Sequence, residues 1–395
     1  MSERPYRLAI LTTHPIQYNA PLFRRLAADP RLEPTVFYCY GAEPGPGEDP
    51  GFGLRFEWDQ DLRSGYPHRF FPNLRRREPP RGFFGLINPA ICNELRRGRY
   101  DALLSFGWAH ATHWLAFLAA RFTRTPYLLF GDSALLHPRP LGRELLRQFA
   151  LRWLFAHARA ALTPGWMNAR FYEHYGLPSQ RLYPAPLTVD LDEIDACRAR
   201  LFPQRAALRR QLGLPQDAIV VLFAGKLIAR KRPGDLLQAC ARLPDSRTVV
   251  LMVGEGERAG ALHRQAQPLG PRVRFAGFQN LSALPPYYVV ADILVLPSEI
   301  EPRGLVVVEA LAYGLPVVIS DRVPLWGPGD IVRDGENGFV YPVGDIAALR
   351  ERLQRLIEDP ARRRQMSERA RALIAPYNYG AFVEALCSAL APRPT

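Results

Sequence analysis

A chain of 395 residues with 48% hydrophobic and 23% charged residues is globular and long enough for two domains, which excludes disorder and a single small core. Its formal net charge of +13 asks for an anionic partner and leaves nucleic acid, a membrane face and phosphorylated substrates open. Five scattered cysteines without a C-x-x-C pair, a short polar start at Met1 to Tyr6 and no apolar run near the roughly 18 residues of a membrane span point to a cytoplasmic protein with reduced thiols, no cleavable signal and no zinc site.

Leu8 to Thr12 reads as the first strand and Pro21 to Ala28 as the helix after it. The connection Thr13 to Asn19 holds no glycine, so the backbone has no means of approaching a pyrophosphate as a dinucleotide fold does. His14 and Gln17 nonetheless sit at a strand's carboxyl edge, where open α/β sheets bind ligands, or are ordinary loop polarity. Thr35 to Tyr40 is a second strand. The long segment Gly41 to Arg81, rich in Pro, Gly, Arg and aromatic residues, is assigned to acceptor recognition. Its Asp59 and Asp61 have the look of an acidic pair that grips a diphosphate through a cation, yet no recognisable strands flank them and a solvated turn is the better reading.

Ala102 to Phe106 is a third strand, followed by Gly107 to His113 and a helix from Trp114 to Arg121. His110 and His113 share a helical face but have no carboxylate or thiol nearby to complete a metal site. After the strand Tyr127 to Phe130, Leu141 to His157 forms a basic amphipathic helix with Arg143, Arg147 and Arg152, suited either to an anionic membrane or to an ordinary core-facing role. The pattern changes around Pro184 to Leu212, where the hinge between domains is expected. Strands at Thr248 to Val253, Val273 to Ala276, Ile293 to Leu296 and Pro316 to Ser320 then alternate with helices, the signature of a doubly wound parallel sheet.

The chain has only two lysines, Lys226 and Lys231, against 51 Lys plus Arg, and both lie on one loop between the strand Ile219 to Phe223 and a helix starting at Pro233. Where arginine serves every other need for positive charge, two lysines on a strand-to-helix loop suggest that a compact ammonium is wanted, as a diphosphate would favour. Gly254 and Gly256 follow another strand, but Glu255 between them would oppose a pyrophosphate, so these glycines are read as turn geometry. Glu301 and Glu309 flank Gly304, which opens a helix whose first N–H groups make a phosphate seat. Glu309 lies among Val306, Val307, Val308 and Leu311, and a glutamate in that setting needs a partner.

With these residues the chain resembles the retaining GT-B glycosyltransferases of family 4, or glycosyl transferases group 1, most firmly over residues 218–345. The resemblance rests on Lys226 and Lys231 at a spacing of five, on Glu301 and Glu309, on the run Ala310 to Val318, on Gly277-Phe278, and on Ala291-Asp292 with Pro297-Ser298. It implies an α/β GT-B fold, two Rossmann-like doubly wound parallel-sheet domains facing across a cleft. The expected division is an acceptor domain over 1–195, a nucleotide-sugar domain over 196–375, and a C-terminal helix in 376–395 packing back toward the first domain. It also implies that Lys226 and Lys231 hold the donor diphosphate and Glu309 the ribose hydroxyls. Main chain at Phe278 would meet the base, while Glu301 with the N–H groups of Leu305 and Val306, beside Gly225 and Gly304, would meet the phosphates and sugar. His110 is placed near the reacting sugar, His14 and Gln17 on the acceptor. Arg303 stands where the family usually has Phe, beside the sugar, and Lys226 where it more often has Arg.

The expected activity is metal-independent transfer, without a cofactor, from a nucleotide-diphosphate sugar, a UDP-sugar foremost, to a hydroxyl acceptor that is lipid-linked, polymeric or soluble. The alternative is a nucleotide-sugar epimerase or hydrolase of the same fold. Peripheral contact with an anionic membrane fits the charge. Nucleic acid does not, because basic and aromatic positions are not clustered on one sheet or helix.

Overall fold

A computed structural model of the chain describes residues 4–41, 47–49, 53–75, 80–136, 141–244 and 247–391. Parts of the segment read as acceptor-recognising (42–46, 50–52 and 76–79) and the side chain of Arg143 lie outside the described residues. Strand β1 (Tyr6–Thr12), helix α1 (Asn19–Ala28) and strand β2 (Leu32–Tyr38) open the chain, and a hairpin of β3 (Gly47–Asp49) and β4 (Leu54–Phe56) precedes β5 (His68–Phe70). Next come α2 (Ala90–Gly98), β6 (Ala102–Phe106), α3 (Ala111–Phe122), β7 (Tyr127–Phe130), α4 (Leu141–His157), β8 (Ala160–Thr163), α5 (Trp166–His174) and β9 (Leu182–Pro184). The second half continues through α6 (Leu191–Leu201), α7 (Arg205–Gln211), β10 (Ile219–Ala224), α8 (Pro233–Ala241), β11 (Thr248–Val253), α9 (Ala259–Ala266) and β12 (Val273–Gly277). It ends with α10 (Pro285–Val290), β13 (Ile293–Leu296), α11 (Leu305–Tyr313), β14 (Val317–Ser320), β15 (Gly338–Tyr341), α12 (Ile346–Glu358), α13 (Pro360–Ile374) and α14 (Tyr379–Leu390).

These elements form two compact units, one of Met1–Pro44, Asp61–Leu187 and Tyr379–Thr395, the other of Gly45–Gln60 and Thr188–Asn378. In the first unit seven parallel strands run in the order β5-β2-β1-β6-β7-β8-β9. A strand covered on both faces meets no water, which is why Leu8 to Leu11 is an unbroken apolar run and fully buried. Alternation still sorts its side chains: Ala9 and Leu11 join Leu103, Leu129 and Phe155 on one face, while Leu8 and Ile10 join Leu104, Leu128 and Phe382 on the other. Phe382 comes from α14, so the end of the chain completes the core begun by its first strand.

The second unit holds six parallel strands in the order β12-β11-β10-β13-β14-β15. Sequence order runs outward from β10 to β12 and then jumps back to β13 beside β10, a reversal that leaves a crevice at the strands' carboxyl ends. The first unit has the same reversal between β1 and β6. Arg205 and Arg209 of α7 both reach Asp292, at 2.7 and 2.8 Å, and fix that helix to the start of β13.

The segment 41–81 differs from its reading as one long loop. Residues 45–60 belong to the second unit, held there by hydrogen bonds of Asn280 with Glu57 and of Ser282 with Asp59, whereas β5 returns to the first unit as an edge strand beside β2.

Candidate active site

The lysine loop leaves β10 at the strand reversal and is fastened by main chain on both sides. Gly225 N–H donates to Val253 O at 2.9 Å, Leu227 N–H to Glu255 O at 2.8 Å, and Gly254 N–H to Gly277 O at 2.8 Å, lacing together the loops after β10, β11 and β12. This lacing explains the glycines. A Cβ on Gly254 would lie 2.0 Å from the carbonyl oxygen of Gly225, and one on Gly256 2.6 Å from that of Leu227, so only glycine admits the approach. The loop closes in a turn of 3₁₀ helix at Ala229–Lys231 and enters α8 through Arg232, whose left-handed conformation (φ 49°) is accompanied by a hydrogen bond from its side chain to Asp235 at 2.7 Å.

From the other side comes the loop after β13. Glu299 N–H donates to Arg230 O at 2.8 Å, tying the two loops directly. Lys231 donates to the carboxylate of Glu301, which also accepts from Ser298 Oγ at 3.0 Å. The lysine side chain is 13% exposed and the glutamate 5%, so this ion pair is largely withdrawn from water. Just beyond it Gly304 (φ 85°) begins α11, with a Cβ-sized space closed by Val323 and Leu296 at 3.1 and 3.2 Å. No side chain caps that helix start, and Leu305 and Val306 in its first turn are half-buried.

Glu309 projects from α11 between fully buried Val308 and Ala310, and its carboxylate accepts from Tyr288 of α10. Tyr288 in turn stacks on Tyr313 with centroids 5.0 Å apart and planes 1° apart. Sequence reasoning required a partner for Glu309 but did not find Tyr288, because the two residues lie on different helices. Phe278 follows Gly277 (φ 68°), and its ring meets Phe56 of the β3–β4 hairpin at 4.5 Å. Lys226, Lys231, Gly225, Phe278, Glu301, Gly304, Leu305, Val306 and Glu309 therefore all lie on loops at the carboxyl edge of the second sheet or on the helix α11 that follows.

Arg303 is corrected. Its guanidinium is buried, donating to Pro324 O at 2.7 Å and to Tyr377 Oη, with Asp330 at 3.8 Å, so the side chain is a strut inside the second unit and does not form the expected wall.

In the first unit His14 and Gln17 follow β1, and His110 follows β6, so all three sit at that sheet's own strand reversal. The His14 ring lies 4.9 Å from Tyr40, and its Nδ1 pairs with Thr13 Oγ1 at 2.9 Å. His110 stands at the residue before α3 without capping it through its side chain, which donates from Nδ1 to Gly82 O at 3.0 Å. Its neighbour His113 is buried with neither ring nitrogen hydrogen-bonded, and burial, reinforced by His110, pushes its pKa down to about 4. Asp59 accepts from Ser282. Asp61 is drawn down to about 2 by the Ser64 hydroxyl and by the N–H groups of Arg63 and Ser64, so each of the two carboxylates is engaged by its own neighbours. Among the described residues there is no group of three or more His, Cys, Asp or Glu able to hold a metal ion, and no helix long and apolar enough to cross a membrane.

The family model described as Glycosyl transferases group 1 matches residues 204–373. A D-inositol 3-phosphate glycosyltransferase of Geodermatophilus obscurus is 34% identical over 352 residues, which cover 81% of this chain and 73% of that protein. The lipopolysaccharide core biosynthesis glycosyltransferase LpsE of Rhizobium meliloti is 35% identical over 189 residues, 47% of this chain and 54% of LpsE. The chain spans between 48% and 60% of the length of LpsE and two further curated relatives it matches. The solved structure of Anabaena Alr3699/HepE in complex with UDP superposes at a TM-score of 0.74 with 18% identity, covering 97% of this chain and 98% of that one, a likeness of fold.

Proposed function

The chain belongs to the glycosyl transferases of group 1, and from that premise we propose that it moves a sugar from a nucleotide-diphosphate sugar, a UDP-sugar foremost, to a hydroxyl acceptor with retention at the anomeric carbon. One observation carries this reading: the largely buried pair of Lys231 and Glu301, fixed where the second sheet reverses its strand order and next to the uncapped start of α11. The UDP held by the HepE neighbour supports the choice of base.

The donor diphosphate sits between the ammonium groups of Lys226 and Lys231 and the N–H groups of Leu305 and Val306. Glu309, oriented by Tyr288, takes the ribose hydroxyls. Lys231 has three N–H bonds and gives one to Glu301, leaving donors for phosphate, while Glu301 is held in place to receive a sugar hydroxyl. As the bond from the anomeric carbon to the phosphate oxygen breaks, negative charge builds on that oxygen, and fixed cations with a helix start aimed at it stabilise the transition state. The acceptor oxygen forms the new bond on the face the phosphate leaves, and its proton passes to the departing phosphate. No carboxylate nucleophile is needed. His110 positions the sugar, and His14 and Gln17 contact the acceptor. That acceptor is a lipid-linked or growing glycan, and the protein works as a peripheral component at the inner face of a membrane. The test is thermal stabilisation by UDP, GDP, ADP and their sugars, followed by transfer assays with the best donor. Selective stabilisation by UDP compounds is expected, and stabilisation by none of the three nucleotides would end the reading.

A further inference from the structure

Helix α4 is apolar on two sides. Leu151, Leu154 and Phe155 are fully or almost fully buried in the first unit's core, yet Leu145, Leu146 and Phe149 stand in solvent at 67%, 73% and 76% exposure. Core burial accounts for the first set and leaves the second without a role. The exposed set does not stand alone. Leu145, Phe149 and Trp153 recur every fourth residue and so share one face, and Trp153 stacks on Trp114 of α3 with centroids 6.3 Å apart and planes 18° apart. Trp114 in turn lies 6.5 Å from Phe83 in the turn Phe83–Gly85, where Phe83 and Phe84 are both exposed. Two helices and one turn are thus joined by their aromatic rings into a single outward apolar surface, which Phe122 extends along α3 at a spacing of four from Leu118.

The charge around this surface is mostly basic, and Glu144, next to Leu145, is paired with Arg147. Between Ala111 and Arg159 the sequence carries seven arginines and two acidic residues. Exposed arginines stand within two residues of exposed apolar groups, Arg81 before Phe83 and Arg121 and Arg124 on either side of Phe122, and Arg152 is exposed beside half-buried Trp153. We propose that this face of the first unit docks on an anionic lipid bilayer, with Leu145, Phe149, Phe83 and Phe84 entering the acyl boundary and the arginines resting on the headgroups. A second copy of the chain is the poorer occupant, because face-to-face pairing would set arginine rim against arginine rim. The proposal names the surface behind the peripheral placement proposed above and rests on no step of the sugar chemistry, so the two fail separately.

The test is flotation of the full chain with phosphatidylcholine vesicles and with vesicles carrying about 30% phosphatidylglycerol. The expected result is retention on the anionic vesicles alone, weakened by salt, and reduced at least about tenfold by Phe149→Glu and by Phe83→Ser with Phe84→Ser, each with an unchanged melting temperature. Because both substitutions replace exposed side chains, wild-type thermal stability separates loss of docking from loss of fold. Failure to float with either vesicle overturns the proposal. So does equal retention on neutral lipid, and so does a dimer in light scattering that Phe149→Glu dissolves.

Discussion

Lys231 and Glu301 show how much a single pair carries. Taking the ammonium away leaves a carboxylate that is 5% exposed, so Lys231→Ala removes a phosphate donor and strands a buried charge in the same stroke. The two effects can be separated. Lys231→Ala should lower transfer at least a hundredfold, the scale of losing one transition-state donor worth about 3 kcal/mol. Adding Glu301→Gln should restore the melting temperature without restoring the rate. Wild-type turnover in Lys231→Ala would remove this lysine from the chemistry. His113 makes a different prediction. Its folded pKa of about 4 lies below the ordinary value of 6.5, so between those values the unfolded chain binds a proton that the folded chain refuses. Its contribution to stability is therefore present above pH 6.5 and is lost as pH falls toward 4. From pH 7 to pH 5 the loss is about 2 kcal/mol. Urea titrations at the two pH values should show that this part of the decline is missing in His113→Leu, which also removes two buried nitrogens without hydrogen-bond partners.

Glycines at the loop crossings translate the sheet into a site. With its φ of 135° and its Cβ direction aimed at the Gly225 carbonyl, Gly254 cannot become Ala unless the lysine loop moves. Gly254→Ala should therefore raise the donor KM at least about tenfold while leaving the far-UV circular dichroism intact. An unchanged KM would mean that the lacing of these loops does not position the lysines. The elements themselves differ in how far they could be read from sequence. The strands β7 and β13 are unbroken apolar runs, β6 and β11 are apolar except for Ser105 and Thr248, and all four begin and end where the pattern says. Lys226, Lys231, Glu301 and Glu309 stand out by residue type and spacing, and the close approach of Gly254 and Gly256 to the carbonyls of Gly225 and Leu227 agrees with a reading of these glycines as turn geometry. By contrast β5 and β9 have three residues each, too few for a pattern, and derive their existence from pairing with β2 and β8. Tyr288, Ser298 and the carbonyl of Arg230 hold the site through contacts between elements, and no local signal announces them. Arg303 misled because its place in a motif says where its backbone runs and nothing about Pro324, Asp330 and Tyr377, which claim its side chain.

Across the whole molecule the chain passes between its two units at residues 44/45, 60/61, 187/188 and 378/379. The first unit is thus built from the beginning of the chain and from its last segment, and the final helix is part of its core. Phe382 is fully buried, meets Phe130 of β7 edge to face at 5.0 Å, and shares its cluster with Leu8, Ile10 and Leu104. The helix is held at its end as well, where Arg159 donates to Ala389 O at 2.8 Å and Leu390 O at 3.0 Å. A face that buries Phe382, Val383 and Leu386 would lie open until α14 arrives, so the first unit cannot finish folding during synthesis when its sheet emerges. Phe382→Ala should then destabilise the first unit by about 3 to 5 kcal/mol, the range for emptying a phenylalanine site in a packed core. Hydrogen exchange resolves where that loss falls. Amides of β1, β6 and β7 should exchange faster in the variant, while those of β10, β11 and β13, in a unit that α14 does not join, should keep their wild-type protection. Equal loosening of both sheets would mean that the two units unfold as one, and unaltered exchange in β1 would deny α14 its place in the core.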